Sequence, residues 1–179
     1  MEPGERISLL LKLCLPFLVL AALRAYPRPY RVVDGLNQSR PMQQAGHYEA
    51  AASALREVVE REPWRTYLWE QIGAAELRAN RLPEAIDAFN RAAATGHLSL
   101  EGSFQLAEAY KLVGDPDAAE AAWRELLDRT GPEASELKGR VFEQLLQLEH
   151  ERGDFPAAVE ILRAWRMAEP EKPCVAFRQ

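Results

Sequence analysis

The chain has 179 residues, enough for one ordinary domain, and its 22 basic and 27 acidic residues give a net charge of −5. Arg6, Lys12, Arg24, Arg28 and Arg31 precede residue 34 with only Glu2 and Glu5 to oppose them, so the body from Asp34 onward keeps 17 basic and 25 acidic residues, a net of −8. An acidic body repels a phosphate backbone, which excludes non-specific nucleic-acid binding; abundant alanine and leucine with few β-branched residues favour packed helices over sheet.

The first element is apolar. Ile7 to Leu23 reads ISLLLKLCLPFLVLAAL, 17 residues interrupted by Lys12. As a helix it spans about 25 Å, slightly less than the roughly 30 Å hydrocarbon core of a bilayer. Lys12 can snorkel to a headgroup layer, and Leu13 to Leu23 has the length of an export-signal apolar region. No small-x-small cleavage site follows, and Arg24 sits where such sites avoid positive charge. Residues 1–31 therefore read as an uncleaved signal anchor, attached to the membrane through residues 7–23, with a cleaved export signal and secretion as the alternative and a buried soluble helix as a third. Basic residues on both flanks leave orientation open; the body is expected outside the cytoplasm. Tyr26-Pro-Arg-Pro-Tyr30 reads as a stiff, extended exit. Cys14 and Cys174 are too far apart in kind and place to suggest a disulfide.

From residue 32 the chain is periodic. Trp69, Ile72, Gly73, Ala85, Phe89 and Ala92 recur 34 residues later as Ser103, Leu106, Ala107, Ala119, Trp123 and Leu126, and 34 residues earlier stand Gly46, Ala51, Leu55 and Val58 in step with Asn80, Ala85, Phe89 and Ala92. A turn-and-helix phrase returns at Gly46-His-Tyr-Glu-Ala-Ala, Asn80-Arg-Leu-Pro-Glu-Ala, Gly114-Asp-Pro-Asp-Ala-Ala and Gly153-Asp-Phe-Pro-Ala-Ala, the last displaced by 39, so the connection from Thr130 to Gly139 carries about five extra residues. Each unit reads as two amphipathic helices. The opening helix carries apolar residues three and four apart, as in Phe142, Leu145 and Leu146. Gly or Asn ends it in a left-handed conformation, and Asp115-Pro116 starts the next helix with a capping carboxylate and a first-turn proline. On the closing helix Ala85 permits close approach and Phe89 fills the gap beyond it. Trp69, Trp123 and Trp165 fall at core positions; Trp64, after Pro63 at a unit boundary, has no assigned role.

This pattern resembles the tetratricopeptide repeat: a large residue (Trp69), an apolar-small pair (Ile72-Gly73), an aromatic (Tyr110), an alanine (Ala85, Ala119), an aromatic (Phe89, Trp123) and a closing proline (Pro63, Pro170). The resemblance covers about residues 32–172. It implies an all-α, right-handed solenoid of antiparallel helix pairs, about four of them, preceded by one apolar N-terminal helix. There are departures. Glu76 and Glu149 stand where the family usually has tyrosine, His97 replaces a closing proline, and Val32–Arg65, with Pro41 in its opening helix, is a degenerate or capping unit. Residues 173–179 look like the start of a further opening helix or a C-terminal cap.

Nothing in the sequence points to catalysis, to a cofactor or metal, or to a small-molecule substrate. His47, His97 and His150 fall in different units and read as solvent-facing; no phosphate loop is present. Glu143, Glu149 and Glu151 read as a solvated helix face. Asn37-Gln-Ser39 fits a glycosylation acceptor but is a pattern frequent by chance. The resemblance implies instead a scaffold or adaptor for protein partners, whose concave face, lined by opening helices, takes an extended peptide or a partner's helix. By helical phase the residues offered there are Tyr67, Glu70, Arg78, Phe104, Glu108, Lys111, Arg140, Glu143 and Gln147. Two aromatics supply apolar anchors, and Arg78, Lys111 and Arg140 can pair with carboxylates. The lysine–asparagine clamp of chaperone-tail binders is missing: the comparable positions carry Glu70, Ala74, Gln105 and Glu108. Competing readings are a regulatory repeat fragment of a larger protein, such as an enzyme, and a self-associating component of envelope assembly.

Overall fold

The computed structural model describes residues 29–168. Eight α-helices follow one another among them: α1 Pro29–Gln44, α2 Tyr48–Arg61, α3 Leu68–Arg78, α4 Leu82–Ala94, α5 Leu100–Val113, α6 Pro116–Arg129, α7 Ser135–Arg152 and α8 Phe155–Ala168, with a 3-10 turn, Pro132–Ala134, before α7. Each helix packs on its neighbour in sequence, and α3 also touches α5, so the opening helices α1, α3, α5 and α7 form one layer and the closing helices α2, α4, α6 and α8 another. This is the stacked-pair architecture that the 34-residue period implies. The apolar segment 7–23, the two cysteines and residues 173–179 lie outside the described residues. Among those described, no helix is long and apolar enough to cross a membrane.

The turns behave as their residues dictate. Gly46, Gly114 and Gly153 follow opening helices with φ of 79°, 90° and 73°, and Asn80, the counterpart in the second unit, has φ 59°. These are left-handed conformations in which a Cβ is strained, and glycine and asparagine are the residues that tolerate them. The carboxylates of Asp115 and Asp154 then accept the backbone N–H groups of Ala118 and Ala157, both at 3.0 Å, capping α6 and α8. Such a cap is worth about 1 kcal/mol.

Three buried clusters run along the stack, each joining a closing helix to the opening helix of the next unit. Leu55 of α2 meets Leu68 and Ile72 of α3. Phe89 of α4 meets Leu106 of α5. Trp123 of α6 meets Val141, Phe142 and Leu145 of α7. Within a unit the small residue is needed for closeness: a Cβ on Gly73 would lie 2.8 Å from the Phe89 ring, well inside contact distance.

Two expectations need correction, the extended exit and the three core tryptophans, and two others take a definite form. Pro29 and Tyr30 are the first residues of α1, not an extended exit; proline fits a first helical turn, where its missing N–H has no partner to lose. The degenerate first unit still builds a 16-residue opening helix, because Pro41 falls in its last turn, and Ser39, in step with Gly73, is buried there with its hydroxyl donating to the Leu36 carbonyl at 2.9 Å. The extra residues between Thr130 and Gly139 form the 3-10 turn and lengthen α7 to 18 residues. Of the three core tryptophans only Trp123 is fully buried. Trp69 is half-buried with the Arg91 guanidinium 4.7 Å above its ring, and Leu68 takes the inner place; Trp165 is half-buried and stacks on Phe142 at 5.6 Å.

Candidate protein-binding face

The exposed sides of the opening helices meet where α5 and α7 lie together. Arg140 of α7 reaches back to Glu101 of α5, its two terminal nitrogens donating to the carboxylate at 2.9 and 3.2 Å. The same guanidinium lies over the Phe104 ring, 4.1 Å from its centroid, a cation–π arrangement. The hydrogen bond to Glu101 holds the Arg140 guanidinium above its ordinary pKa. Glu108, one turn further along α5, is half-buried; burial pushes its carboxyl up, with Arg140 opposing and Glu101 reinforcing the shift. Lys111 follows, its ammonium 3.4 Å from the Gln144 amide oxygen and 3.6 Å from Glu151. Gln147 donates to Glu151 at 2.9 Å, and Glu143 is exposed beside it.

Phe104, Glu108, Lys111, Arg140, Glu143 and Gln147 therefore share one strip, to which sequence reasoning did not assign Glu101, Gln144 or Glu151. Their signal is in the sequence: they occupy the same helical phase of α5 and α7 as Phe104, Glu108, Arg140 and Gln147. Phe104 is not exposed as the phase implied. It is buried under Arg140 and belongs to the core cluster, because helix α7 rises beside it. Glu70 is not a free carboxylate either. It accepts both the Ser99 backbone N–H and the Ser99 hydroxyl at 2.7 Å, bracing the start of α5 from α3. Tyr67 is exposed at the head of α3 and accepts from Arg65 at 3.0 Å. Arg78 sits at the far end of the same helix, 5.8 Å over the Tyr48 ring, beside an open cleft at Gly46–Ala50. Neither joins the strip.

The two glutamates that departed from the repeat pattern are the largest surprise in burial. Glu76 is fully buried, 2.6 Å from Arg56 of α2 and 3.5 Å from Arg81, yet neither of its oxygens accepts an aligned hydrogen bond from the described residues. Glu149, expected on a solvated face, is buried too and pairs with Arg152 at 3.0 Å. Arg152 also binds Glu120 of α6, whose carboxyl it holds below the usual range. Tyr110, which keeps the repeat's tyrosine, receives Asn90 of α4 at 3.4 Å. Glu76 and Tyr110 reach the preceding closing helix directly and Glu149 does so through Arg152, so the acids tie units together rather than meeting solvent. His47, His97 and His150 are exposed as expected; the His97 ring nitrogen lies 3.0 Å from the Thr66 hydroxyl. Among the described residues no group of acidic, histidine and cysteine side chains could hold a metal.

Stacked antiparallel helix pairs with a residue-lined inner layer define a helical-repeat solenoid, a class built to present surface rather than to enclose a substrate. The tetratricopeptide-repeat profile matches residues 43–97 and 104–173, more than half of the chain, and the protein belongs to that family. The match begins after most of α1, in keeping with a degenerate first opening helix. Two crystal structures of MamA are similar: one at 20% identity covers 84% of each chain with a TM-score of 0.68, the other at 14% identity covers 78% of this chain and 74% of that one with a TM-score of 0.65. A putative kinesin light chain of Podosopora anserina with nearly identical TPR-like repeats is similar at 18% identity, over 83% of this chain and 80% of that one, with a TM-score of 0.61. At these identities the likeness is one of fold. No curated protein matches the chain.

Proposed function

We propose that this chain is a protein–protein interaction scaffold, the role to which its repeat fold points; proteins of this family are generally not enzymes. We propose, more closely, that this chain is a non-catalytic adaptor that binds a partner's peptide or helix along α5 and α7, and that residues 7–23 tether it to a membrane with the repeats outside the cytoplasm. The strip that runs from Arg140 and Glu101 through Glu108 to Lys111, Gln147 and Glu151 carries the binding reading. It alternates cation and anion over a buried ring, and its charges are already paired across two helices, so a ligand is met by a fixed array. Its mixed sign suits a partner of both charges rather than a purely acidic tail. The tether rests on the length and flanks of the apolar segment alone.

Photocrosslinking from the full chain in cells tests the binding surface. A photoreactive residue at Gln147 or Glu143 is expected to give a discrete adduct that the same residue at Asp128, on the outer layer, does not; equal labelling from both layers removes the proposal. Fractionation with protease treatment of intact cells tests the tether. A C-terminal tag that pellets with membranes and is digested supports it, and a tag confined to the soluble fraction rejects it.

A further inference from the structure

Most charges on the inner strip of α5 and α7 are already answered within the chain. Arg140 donates to Glu101. Lys111 donates to Gln144 and pairs with Glu151, and Gln147 donates to the same Glu151. Glu108, in the middle of the strip, is different. It is half-buried, yet no described residue gives it a hydrogen bond or an ion pair. Arg140 and Lys111 act on its carboxylate only from a distance, each committed to another partner. The flanking opening helices bring no cation at this register: the positions in step with Glu108 are Ala74 on α3 and Gln147 on α7. Burial pushes the Glu108 carboxyl up, so the free chain keeps a desolvated acid at a cost to its own stability. The strip as a whole is acidic. Glu101, Glu108, Glu143 and Glu151 stand on it against Arg140 and Lys111, an excess of negative charge that attracts a cationic segment.

We infer that Glu108 receives a lysine or arginine side chain of the bound partner, so that the partner segment is defined by a basic side chain at its middle. This rests on the strip of α5 and α7 being the binding surface. An N–H donated to Glu108 supplies the hydrogen bond that the free chain lacks, and the partner's charge offsets the strip's excess of acid. Arg140 and Lys111 on either side, held by Glu101 and Glu151, fix where that cation can enter. Replacing Glu108 therefore separates binding from folding. Glutamine removes a half-buried charge, which favours the fold, and removes the charge that the partner's cation meets, which weakens binding.

The test uses the full chain in detergent micelles and three labelled probe peptides: Ac-Gly-Ala-Lys-Ala-Lys-Ala-Gly, and its counterparts with glutamine or with glutamate in place of both lysines. By fluorescence anisotropy the lysine peptide should bind about fivefold more tightly than the glutamine peptide. Glu108→Gln should erase that preference while unfolding in urea no earlier than wild type. Glu125→Gln, on an exposed residue of the outer layer, changes the net charge equally and should leave the preference in place. Equal binding of the lysine and glutamine peptides, or tighter binding of the glutamate peptide, overturns the inference. So does a lysine preference that survives Glu108→Gln or falls equally with Glu125→Gln, and so does the absence of binding at millimolar peptide. Photocrosslinking from position 147 in cells keeps this inference apart from the reading it rests on. Glu108→Lys should remove the adduct and Glu125→Lys should keep it. An adduct that persists in Glu108→Lys leaves the binding surface standing and rejects the role of Glu108, whereas no adduct in the chain with Glu108 intact rejects the surface itself and this inference with it.

Discussion

Replacing Arg56 by alanine should harm this protein more than replacing the acid it serves. Glu76 is fully buried and Arg56 is 30% exposed, so the two partners lose different things when left alone. Arg56→Ala leaves a carboxylate in the interior with Arg81 at 3.5 Å as its remaining cation. Breaking a buried pair in this way costs about 3–5 kcal/mol, and the residual contact with Arg81 brings the expected loss to about 2–3 kcal/mol. At about 2–4 °C per kcal/mol for a chain of this size, the melting temperature should fall by about 4–12 °C. Glu76→Met removes the buried charge and fills a similar volume, while Arg56 and Arg81, each about a third exposed, return to water; the cost should stay within about 1 kcal/mol. The double variant should then match Glu76→Met, because Arg56 has nothing left to neutralise. Urea and thermal unfolding of the four proteins read this directly. Equal losses from the two single variants, or additive losses in the double, would refute the view that Glu76 is a buried charge held in place by Arg56.

Gly73→Ala gains about 1 kcal/mol of helix propensity but drives a methyl to 2.8 Å from the Phe89 ring; overpacking of about 1–3 kcal/mol should win, seen as a lower urea midpoint. Gly114→Ala, at φ 90°, should cost about 1–2 kcal/mol with no packing change, since nothing lies near its added Cβ. Glu70→Ala should cost about 1–2 kcal/mol through loss of both Ser99 hydrogen bonds, with hydrogen exchange rising first at the start of α5. For Glu108, the folded carboxyl titrates above the unfolded one because burial penalises its charge. The native state then binds more protons between the two values, so this group's contribution is most favourable below the unfolded value and is lost as pH rises through the folded one. Glu108→Gln should therefore stabilise the protein at neutral pH relative to wild type, and the difference should vanish in acid; a difference that grew in acid would contradict the sign.

What the sequence by itself determined was whatever repeats. The 34-residue period, the small-plus-ring pairing of Gly73 with Phe89, and the left-handed turns at Asn80, Gly114 and Gly153 are local or nearest-neighbour requirements, and each leaves its residue type at a fixed offset. The helical phase of α5 and α7 was legible for the same reason, so most of the candidate strip could be named in advance. Tertiary packing decided the rest. Phase alone could not tell that Arg140 would lie over Phe104 and bury it, or that Glu70 would be spent on Ser99, because both depend on how far apart neighbouring opening helices sit. Glu76 and Glu149 read as departures from a motif, and Glu149 as surface charge besides; only packing against the preceding closing helix buries them, Glu76 on an arginine that arrives with that helix and Glu149 beside Arg152 of its own helix, which in turn reaches Glu120 of α6.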